Sequence, residues 1–173
     1  MVSKDNITST TVDTLGPAKI PSPLVRRRQS FRSMFVEDTD RMLIDIDAKQ
    51  IAEEFRQNQT PATLEYAGPR QKIYFDPSKI RCALVTCGGI CPGLNAIIRS
   101  VVLELYYGYG VRNSHGIRYG LQGFIAQYGH EVLDLTPEIV GDILKQGGTI
   151  LGSSRGSQDV EAIVDCLERT GIG

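Results

Sequence analysis

The chain has 173 residues, of which 41% are hydrophobic and 23% are charged, as is typical of a globular protein with one domain-sized core. No apolar run reaches the length that a membrane-spanning helix needs, which excludes a protein of that class. The net charge of -1 is uneven, because residues 1–34 hold six Lys/Arg against two Asp/Glu while the remainder is acidic. This small basic excess predicts neither nucleic acid nor a membrane as a partner.

Residues 1–34 are rich in Ser, Thr, Asp and Pro without a sustained period, and this composition predicts a disordered basic tail. Within it, Ser30 closely follows the cluster Arg26-Arg27-Arg28, a spacing that suits a basophilic kinase. Phosphorylation of Ser30 would place a dianion beside arginines and could order the tail. The alternative, a solvated basic linker, stays open.

Residues 35–79 are the predicted N-terminal extension and connector. Ile46, Ile51 and Phe55 have helical spacing and predict a short helix. A short strand is predicted over residues 72–75, where an apolar run precedes an Asp-Pro pair.

The four cysteines do not form a metal-binding pattern. Cys87 and Cys91 are separated by three residues, but no second cysteine pair follows, and the chain has two histidines. We interpret these thiols as small side chains packed around a tight turn. Because residues 1–6 run straight into polar residues without the apolar segment of a secretory signal, we expect a cytoplasmic location with reduced thiols.

Residues 80–102 have the pattern of a strand, a tight loop and a helix. An apolar run ending at Val85 predicts the strand, and a glycine-rich turn over residues 87–93 follows it. The helix is predicted to start near Gly93 and to bury one stripe of six apolar residues: Leu94, Ile97, Ile98, Val101, Val102 and Leu105. This arrangement presents backbone N–H groups and a helix N-terminus to a phosphate.

The spacing of the turn excludes two common phosphate-binding motifs. Its glycines do not follow G-x-G-x-x-G, and Leu94-Asn95 stands where the Walker motif requires Lys-Ser/Thr. A phosphate loop of another kind and a purely structural turn both remain open.

Downstream, the chain alternates between predicted strands and helices. A helix is predicted to begin after Thr136, and the last helix is predicted to begin at Ser157. Between them, residues 149–156 form a second loop of small residues, in which Arg155 can neutralise phosphate oxygens; a plain surface arginine is the alternative. The last helix should lead to a further parallel strand, so the chain is expected to be part of a larger domain.

Three motifs in this order resemble the 6-phosphofructokinase family: V-T-C-G-G-I-C-P-G-L-N-A-I-I-R at residues 85–99, G-I-R-Y-G-L-Q-G-F at 116–124 and G-G-T-I-L-G-S-S-R-G at 147–156. The Cys-containing loop and the preceding G-P-R-Q-K-I-Y-F-D-P at 68–77 resemble the plant ATP-dependent branch of the family. For residues 80–173 the resemblance implies an incomplete Rossmann-like, parallel-sheet α/β nucleotide-binding domain of the phosphofructokinase type.

The resemblance also implies an activity and a set of roles. The reaction is transfer of the γ-phosphate of ATP to the 1-hydroxyl of fructose 6-phosphate with Mg²⁺, a step of glycolysis, by an enzyme that is a homo-oligomer when complete. Gly88 and Gly89 would contact ATP, as would Arg155 and Gly156. Arg155 would also stabilise charge on the transferring phosphoryl group.

Two motifs of the family are absent from the 173 residues: Gly-Gly-Asp-Gly-Thr, which holds Mg²⁺ and phosphates, and Thr-Ile-Asp-Asn-Asp, which carries the general base. Both functions are therefore expected to lie beyond residue 173, and the 173 residues alone are expected to be inactive. Two alternatives stay open. One is a non-catalytic module that regulates or binds full-length subunits, and the other is a pyrophosphate-dependent phosphofructokinase.

Overall fold

The computed structural model describes residues 10, 12–27 and 35–173, which fall in two compact units, Met1–Tyr74 and Phe75–Gly173. The strands are β1 (Ile20–Pro21), β2 (Arg41–Leu43), β3 (Thr63–Glu65), β4 (Lys72–Ile73), β5 (Arg81–Val85), β6 (Asn113–Ile117) and β7 (Leu133–Asp134). The α-helices are α1 (Ala48–Arg56), α2 (Leu94–Leu103) and α3 (Val160–Thr170). None of the helices in this described part is long and apolar enough to cross a membrane.

The first unit contains two antiparallel strand pairs, β1 with β4 and β2 with β3. Part of the predicted disordered tail is ordered here, since β1 is followed by a 3-10 helix over Pro23–Arg27. The backbone N–H of Ser22 donates to the carbonyl of Gln71 at 2.8 Å, which continues the β1–β4 pairing. The candidate phosphosite Ser30 lies outside the described residues, and the domain boundaries of the sequence analysis stay predictions.

Helix α1 confirms the short helix predicted from Ile46, Ile51 and Phe55. Asp47 caps it, because its carboxylate accepts the backbone N–H of Lys49 at 2.9 Å. The predicted strand near residue 72 is also present, as β4.

The second unit contains a three-stranded sheet with the order β5-β6-β7. Strands β5 and β6 are parallel, from Arg81 opposite Asn113 to Val85 opposite Ile117, as the α/β fold class requires. Strand β7 runs antiparallel to β6, with His115 opposite Asp134, so the sheet is mixed. Only short 3-10 helices connect β6 to β7, and an antiparallel neighbour does not need the helical crossover of a parallel one.

The core of the second unit packs one side of α2 against the segments after β7. Its buried members are Ile98, Val102, Leu135, Val140, Ile143 and Leu151. The predicted apolar stripe of α2 is wrong for Ile97 and Val101, which are 60% and 38% exposed. Successive helical residues are rotated by about 100°, so the residue before Ile98 or Val102 leaves the narrow contact face.

Helix α2 continues as a π-helix over Glu104–Tyr109, and Gly110 ends it with a φ of 79°. Gly108 is buried inside this turn, and a Cβ there would displace the carboxylate of Glu104. Burial, and secondly the charge of Glu104, raise the pKa of Tyr109.

Two helix predictions near the C-terminus are corrected. No α-helix begins at Thr136; the amide of Val140 donates to the Thr136 carbonyl at 3.1 Å, but turns and a 3-10 helix over Ile143–Lys145 follow. Gly141 falls inside this segment, and a glycine in a helix interior costs about 0.5–1 kcal/mol. Helix α3 is capped by Asp159 rather than Ser157, since its carboxylate accepts the amide of Glu161 at 3.1 Å.

Candidate functional site

The first loop, residues 86–93, connects the carboxyl end of β5 to the start of α2. Gly88 and Gly93 have φ values of 87° and 94°, a region that L side chains rarely adopt. Gly93 is the N-cap of α2 and provides no capping side chain, so the first amides of the helix keep their capacity to bind a ligand.

Neither backbone conformation nor packing within the protein requires a glycine at position 89. Its φ lies outside the left-handed region, and no heavy atom lies within 4 Å of a Cβ built on it. A missing side chain at an open position lets a bound molecule approach the backbone closely. The geometry therefore fits the predicted contact between this glycine and a ligand.

The second loop, residues 149–156, starts from the core and ends at an exposed arginine. Leu151 is fully buried, and its carbonyl accepts the backbone N–H of Tyr119 at 2.7 Å. Gly152 has a φ of 68°, and a Cβ there would lie 3.0 Å from the Tyr119 ring. The loop is therefore held by the core at one end while the other end, at Arg155 and Gly156, faces solvent.

Hydrogen bonds join the two loops. The hydroxyl of Thr86 donates to the carbonyl of Gly152 at 2.6 Å, and its oxygen lies 3.1 Å from the hydroxyl oxygen of Thr149. The hydroxyl of Ser153 donates to the carbonyl of Gly88, also at 2.6 Å. These contacts bring together the glycine turn and the segment that carries Arg155, as a shared site requires.

Asn95, in the first turn of α2, forms hydrogen bonds with the second loop and with the segment just before it. It is 2% exposed, its amide nitrogen donates to the carbonyl of Gln146 at 3.1 Å, and its oxygen accepts the amide of Ile150 at 2.8 Å. A buried side-chain amide that satisfies two backbone groups rigidly fixes the distance between the elements that carry them. Helix α2 thereby positions both loops.

Arg155 carries the positive charge of the site. It is exposed, and among the described residues its guanidinium has no ion-pair or hydrogen-bond partner. Gly156 follows with a φ of 94° and open space around it. An unpaired guanidinium two residues after the Ser153–Gly88 contact is available to bind phosphate oxygens.

Sequence reasoning missed the residues that join the loops. Thr86, Asn95, Thr149 and Ser153 make the connecting hydrogen bonds, and none of them was predicted as a site residue. A signal was present, because a hydroxyl residue directly after a strand and a polar residue in the first turn of an apolar helix both invite a structural partner.

The cysteines differ from the interpretation as packed thiols. Cys87 and Cys91 are exposed on the first loop, whereas Cys82 and Cys166 are half-buried, and all four are free. Burial raises the pKa of the Cys82 thiol. Within the described residues no group of three His, Cys, Asp or Glu side chains is placed to hold a metal ion.

A family model described as "Phosphofructokinase" matches residues 81–173, which is more than half of the chain. The chain is 42% identical over 162 residues to "ATP-dependent 6-phosphofructokinase" of Borreliella burgdorferi, covering 93% of this chain and 36% of that protein. It is 49% identical over 106 residues to "ATP-dependent 6-phosphofructokinase 7" of Arabidopsis thaliana, covering 61% of this chain and 21% of that protein. The solved phosphofructokinase of Saccharomyces cerevisiae aligns with a TM-score of 0.45 and 27% identity, over 54% of this chain and 13% of that one.

The matched segment includes both loops and the strand and helix that carry them. The chain spans about a third or less of the length of these relatives.

Proposed function

The chain belongs to the phosphofructokinase family, and from that premise we propose that it forms the nucleotide side of an ATP-dependent 6-phosphofructokinase. The proposed reaction is transfer of the γ-phosphate of ATP to the 1-hydroxyl of fructose 6-phosphate. The observation that carries the proposal is the Ser153–Gly88 hydrogen bond, because it joins the glycine turn to the arginine loop inside the family-matched segment.

The proposed roles follow from the geometry of the two loops. Gly88 and Gly89 allow the phosphates of ATP to approach the backbone, and the free amides at the start of α2 donate to phosphate oxygens. Arg155, beside Gly156, stabilises the negative charge that develops on the transferring phosphoryl group. Catalysis of this kind depends mainly on positioning and charge, which are the properties that these loops supply.

The proposal assigns neither a general base nor a Mg²⁺ ligand to these residues. Mg²⁺ enters it only as a companion of the ATP phosphates, because the described residues offer no carboxylate cluster for the ion. Fructose 6-phosphate, a homo-oligomeric assembly and a cytoplasmic location are parts of the same proposal. Four free cysteines agree with a reducing compartment.

ATP is proposed as the donor because the similar relatives are named as ATP-dependent enzymes. Pyrophosphate is the competing donor, and a direct titration separates the two. Stronger binding of pyrophosphate than of ATP by the 173-residue chain would contradict the proposal.

The decisive experiment is calorimetric titration of the 173-residue chain with ATP. We expect binding, and we expect Arg155→Ala to raise the Kd about tenfold to a hundredfold, since a hydrogen bond to a charged group contributes about 1.5–3 kcal/mol. Arg169→Ala is the matched control, an exposed arginine on α3. The backbone carbonyl of the next residue, Thr170, accepts a hydrogen bond from the Arg81 side chain. Arg81 is the first residue of β5, whereas the first loop follows the last residue of that strand. Equal Kd values for all three proteins would contradict the role of Arg155.

Activity of the 173 residues alone is a separate measurement. We expect no turnover with fructose 6-phosphate and ATP, because no residue here is assigned as the general base. Product formation above that of the Arg155→Ala control would overturn this expectation. Co-purification with a full-length 6-phosphofructokinase, together with absent ATP binding, would favour the alternative of a subunit-binding module.

A further inference from the structure

Two exposed thiols flank the glycine pair of the first loop. Cys87 precedes Gly88-Gly89 and Cys91 follows Ile90, and both cysteines are exposed and free. The metal and nucleotide functions considered above make no use of them. Their placement on the proposed ATP loop means that any chemistry at sulfur would act directly on the site.

The loop has the means to bring the two sulfur atoms together. An extended chain separates the Cα atoms of residues four apart by roughly 13 Å, whereas a disulfide requires them within about 7 Å. The chain bends at Gly88 and Gly89, between the two cysteines. No heavy atom lies within 4 Å of a Cβ built on either glycine, so this segment has open space in which to tighten.

We propose that Cys87 and Cys91 form a dithiol–disulfide pair whose oxidation closes the first loop against ATP, an inference that rests on the proposed function. The oxidant is a small-molecule disulfide of the glutathione class. The thiolate of one cysteine attacks it, forms a mixed disulfide and releases one thiol. The second cysteine thiolate then attacks the protein sulfur of that mixed disulfide and releases the second thiol. In sum, two protein thiols become one disulfide and the oxidant becomes two thiols.

Closing this ring changes the contact that joins the two loops. The carbonyl of Gly88, which accepts the Ser153 hydroxyl at 2.6 Å, lies inside the five-residue ring and rotates with it. The backbone amides of Gly88 and Gly89 are then fixed in the ring rather than free to follow a phosphate. Oxidation should therefore weaken ATP binding while leaving the core around Ile98 and Leu151 unchanged.

The other two cysteines provide internal controls. Cys82 is half-buried within β5, and burial raises the pKa of its thiol, so less of the reactive thiolate is present. Cys166 is half-buried on α3, with its sulfur 3.9 Å from an Arg169 nitrogen. Neither one flanks the glycine turn.

The first arm of the test detects the bond itself. The reduced 173-residue chain is incubated with oxidised glutathione, remaining thiols are alkylated, and the tryptic peptide 82–99 is sequenced by fragmentation. The expected result is a Cys87–Cys91 bond, retained in Cys82→Ser and Cys166→Ser and absent in Cys87→Ser and Cys91→Ser. Glutathione adducts without an internal bond, or a bond that includes Cys82, would overturn the proposal.

The second arm measures ATP affinity in the reduced and oxidised forms. We expect the Kd for ATP to rise about tenfold on oxidation, because one phosphate contact is lost, and to return to its original value on reduction. In Cys87→Ser the Kd should not change when the oxidant is added. Equal Kd values in both forms would overturn the control of ATP access even if the bond forms. A reduced chain that does not bind ATP would instead contradict the proposed function, and the first arm would still report on the disulfide.

Discussion

The hydroxyl of Ser153 donates a 2.6 Å hydrogen bond to the backbone carbonyl of Gly88, across 65 positions of sequence. One residue therefore belongs to the glycine turn and the other to the loop that carries Arg155. The bond joins the two loops that together form the proposed site.

Replacing Ser153 by alanine tests this connection. We expect a loss of about 1 kcal/mol in the free energy of ATP binding, about fivefold in Kd, because Gly88 loses the donor that holds its carbonyl. Isothermal titration of the folded variant measures it. The control is Ser157→Ala, an exposed serine in the same segment. An unchanged Kd for Ser153→Ala would show that the bond does not position the turn.

Asn95→Ala should reduce the free energy of unfolding by about 1–3 kcal/mol, because it leaves the amide of Ile150 and the carbonyl of Gln146 without their buried partner. Urea denaturation measures the change. Asn113→Ala, at an exposed position on β6, should stay within about 0.5 kcal/mol of the parent. Equal effects of the two substitutions would mean that water replaces the Asn95 side chain without cost.

The two faces of α2 give a prediction about the core. Ile98→Ala should cost about 2–5 kcal/mol in unfolding free energy, since Ile98 is 2% exposed and packs in the core of the second unit. Ile97→Ala, one position earlier and largely exposed, should change stability by less than about 0.5 kcal/mol. Thermal and urea denaturation of both variants provide the comparison. Similar losses for both would show that Ile97 is buried in solution.

Secondary structure was predictable from the sequence where interactions between neighbouring residues determine it. The strand β5, the glycine turn and helix α2 follow from an apolar run, small residues and helical periodicity, and all three are present. The stripe on α2 was too wide, because periodicity identifies a face but not how far the neighbouring elements extend over it. Ile97 and Val101 are exposed for that reason.

Long-range contacts were not predictable in the same way. Thr136 as a cap and Pro137 as the first helical residue favour a helix. The segment must also place Val140, Ile143 and Leu151 in one core, and turns with a 3-10 helix do so. The hydrogen bonds of Thr86 and Ser153 likewise depend on which loops the sheet brings together. No local signal contains that information.

A pH-dependent contribution to stability is expected at Asp76. The hydroxyl of Ser78, at 2.7 Å, and then its backbone N–H, at 3.0 Å, lower the pKa of this carboxyl from its ordinary value of 3.8. A lowered folded-state pKa stabilises the fold above the ordinary pKa, and this contribution disappears as the pH falls through the folded value. Ser78→Ala should therefore raise the pKa of Asp76, and an NMR titration of its carboxyl carbon measures it. Ser100→Ala, exposed on α2, is the control and should leave that titration unchanged.

Gly89→Ala separates the needs of the fold from those of the ligand. A Cβ there meets nothing within 4 Å and φ is ordinary, so the unfolding free energy should stay within about 0.5 kcal/mol of the parent. In Gly116→Ala, by contrast, the new methyl collides with the side chain of Leu151 and should cost about 1–3 kcal/mol. Titration with ATP then gives the functional result for Gly89→Ala. A Kd raised about tenfold in a fully stable protein is expected if phosphate approaches this backbone, by the loss of one charged contact. An unchanged Kd would place the nucleotide away from Gly89 and leave Gly88 and the start of α2 as the phosphate contacts.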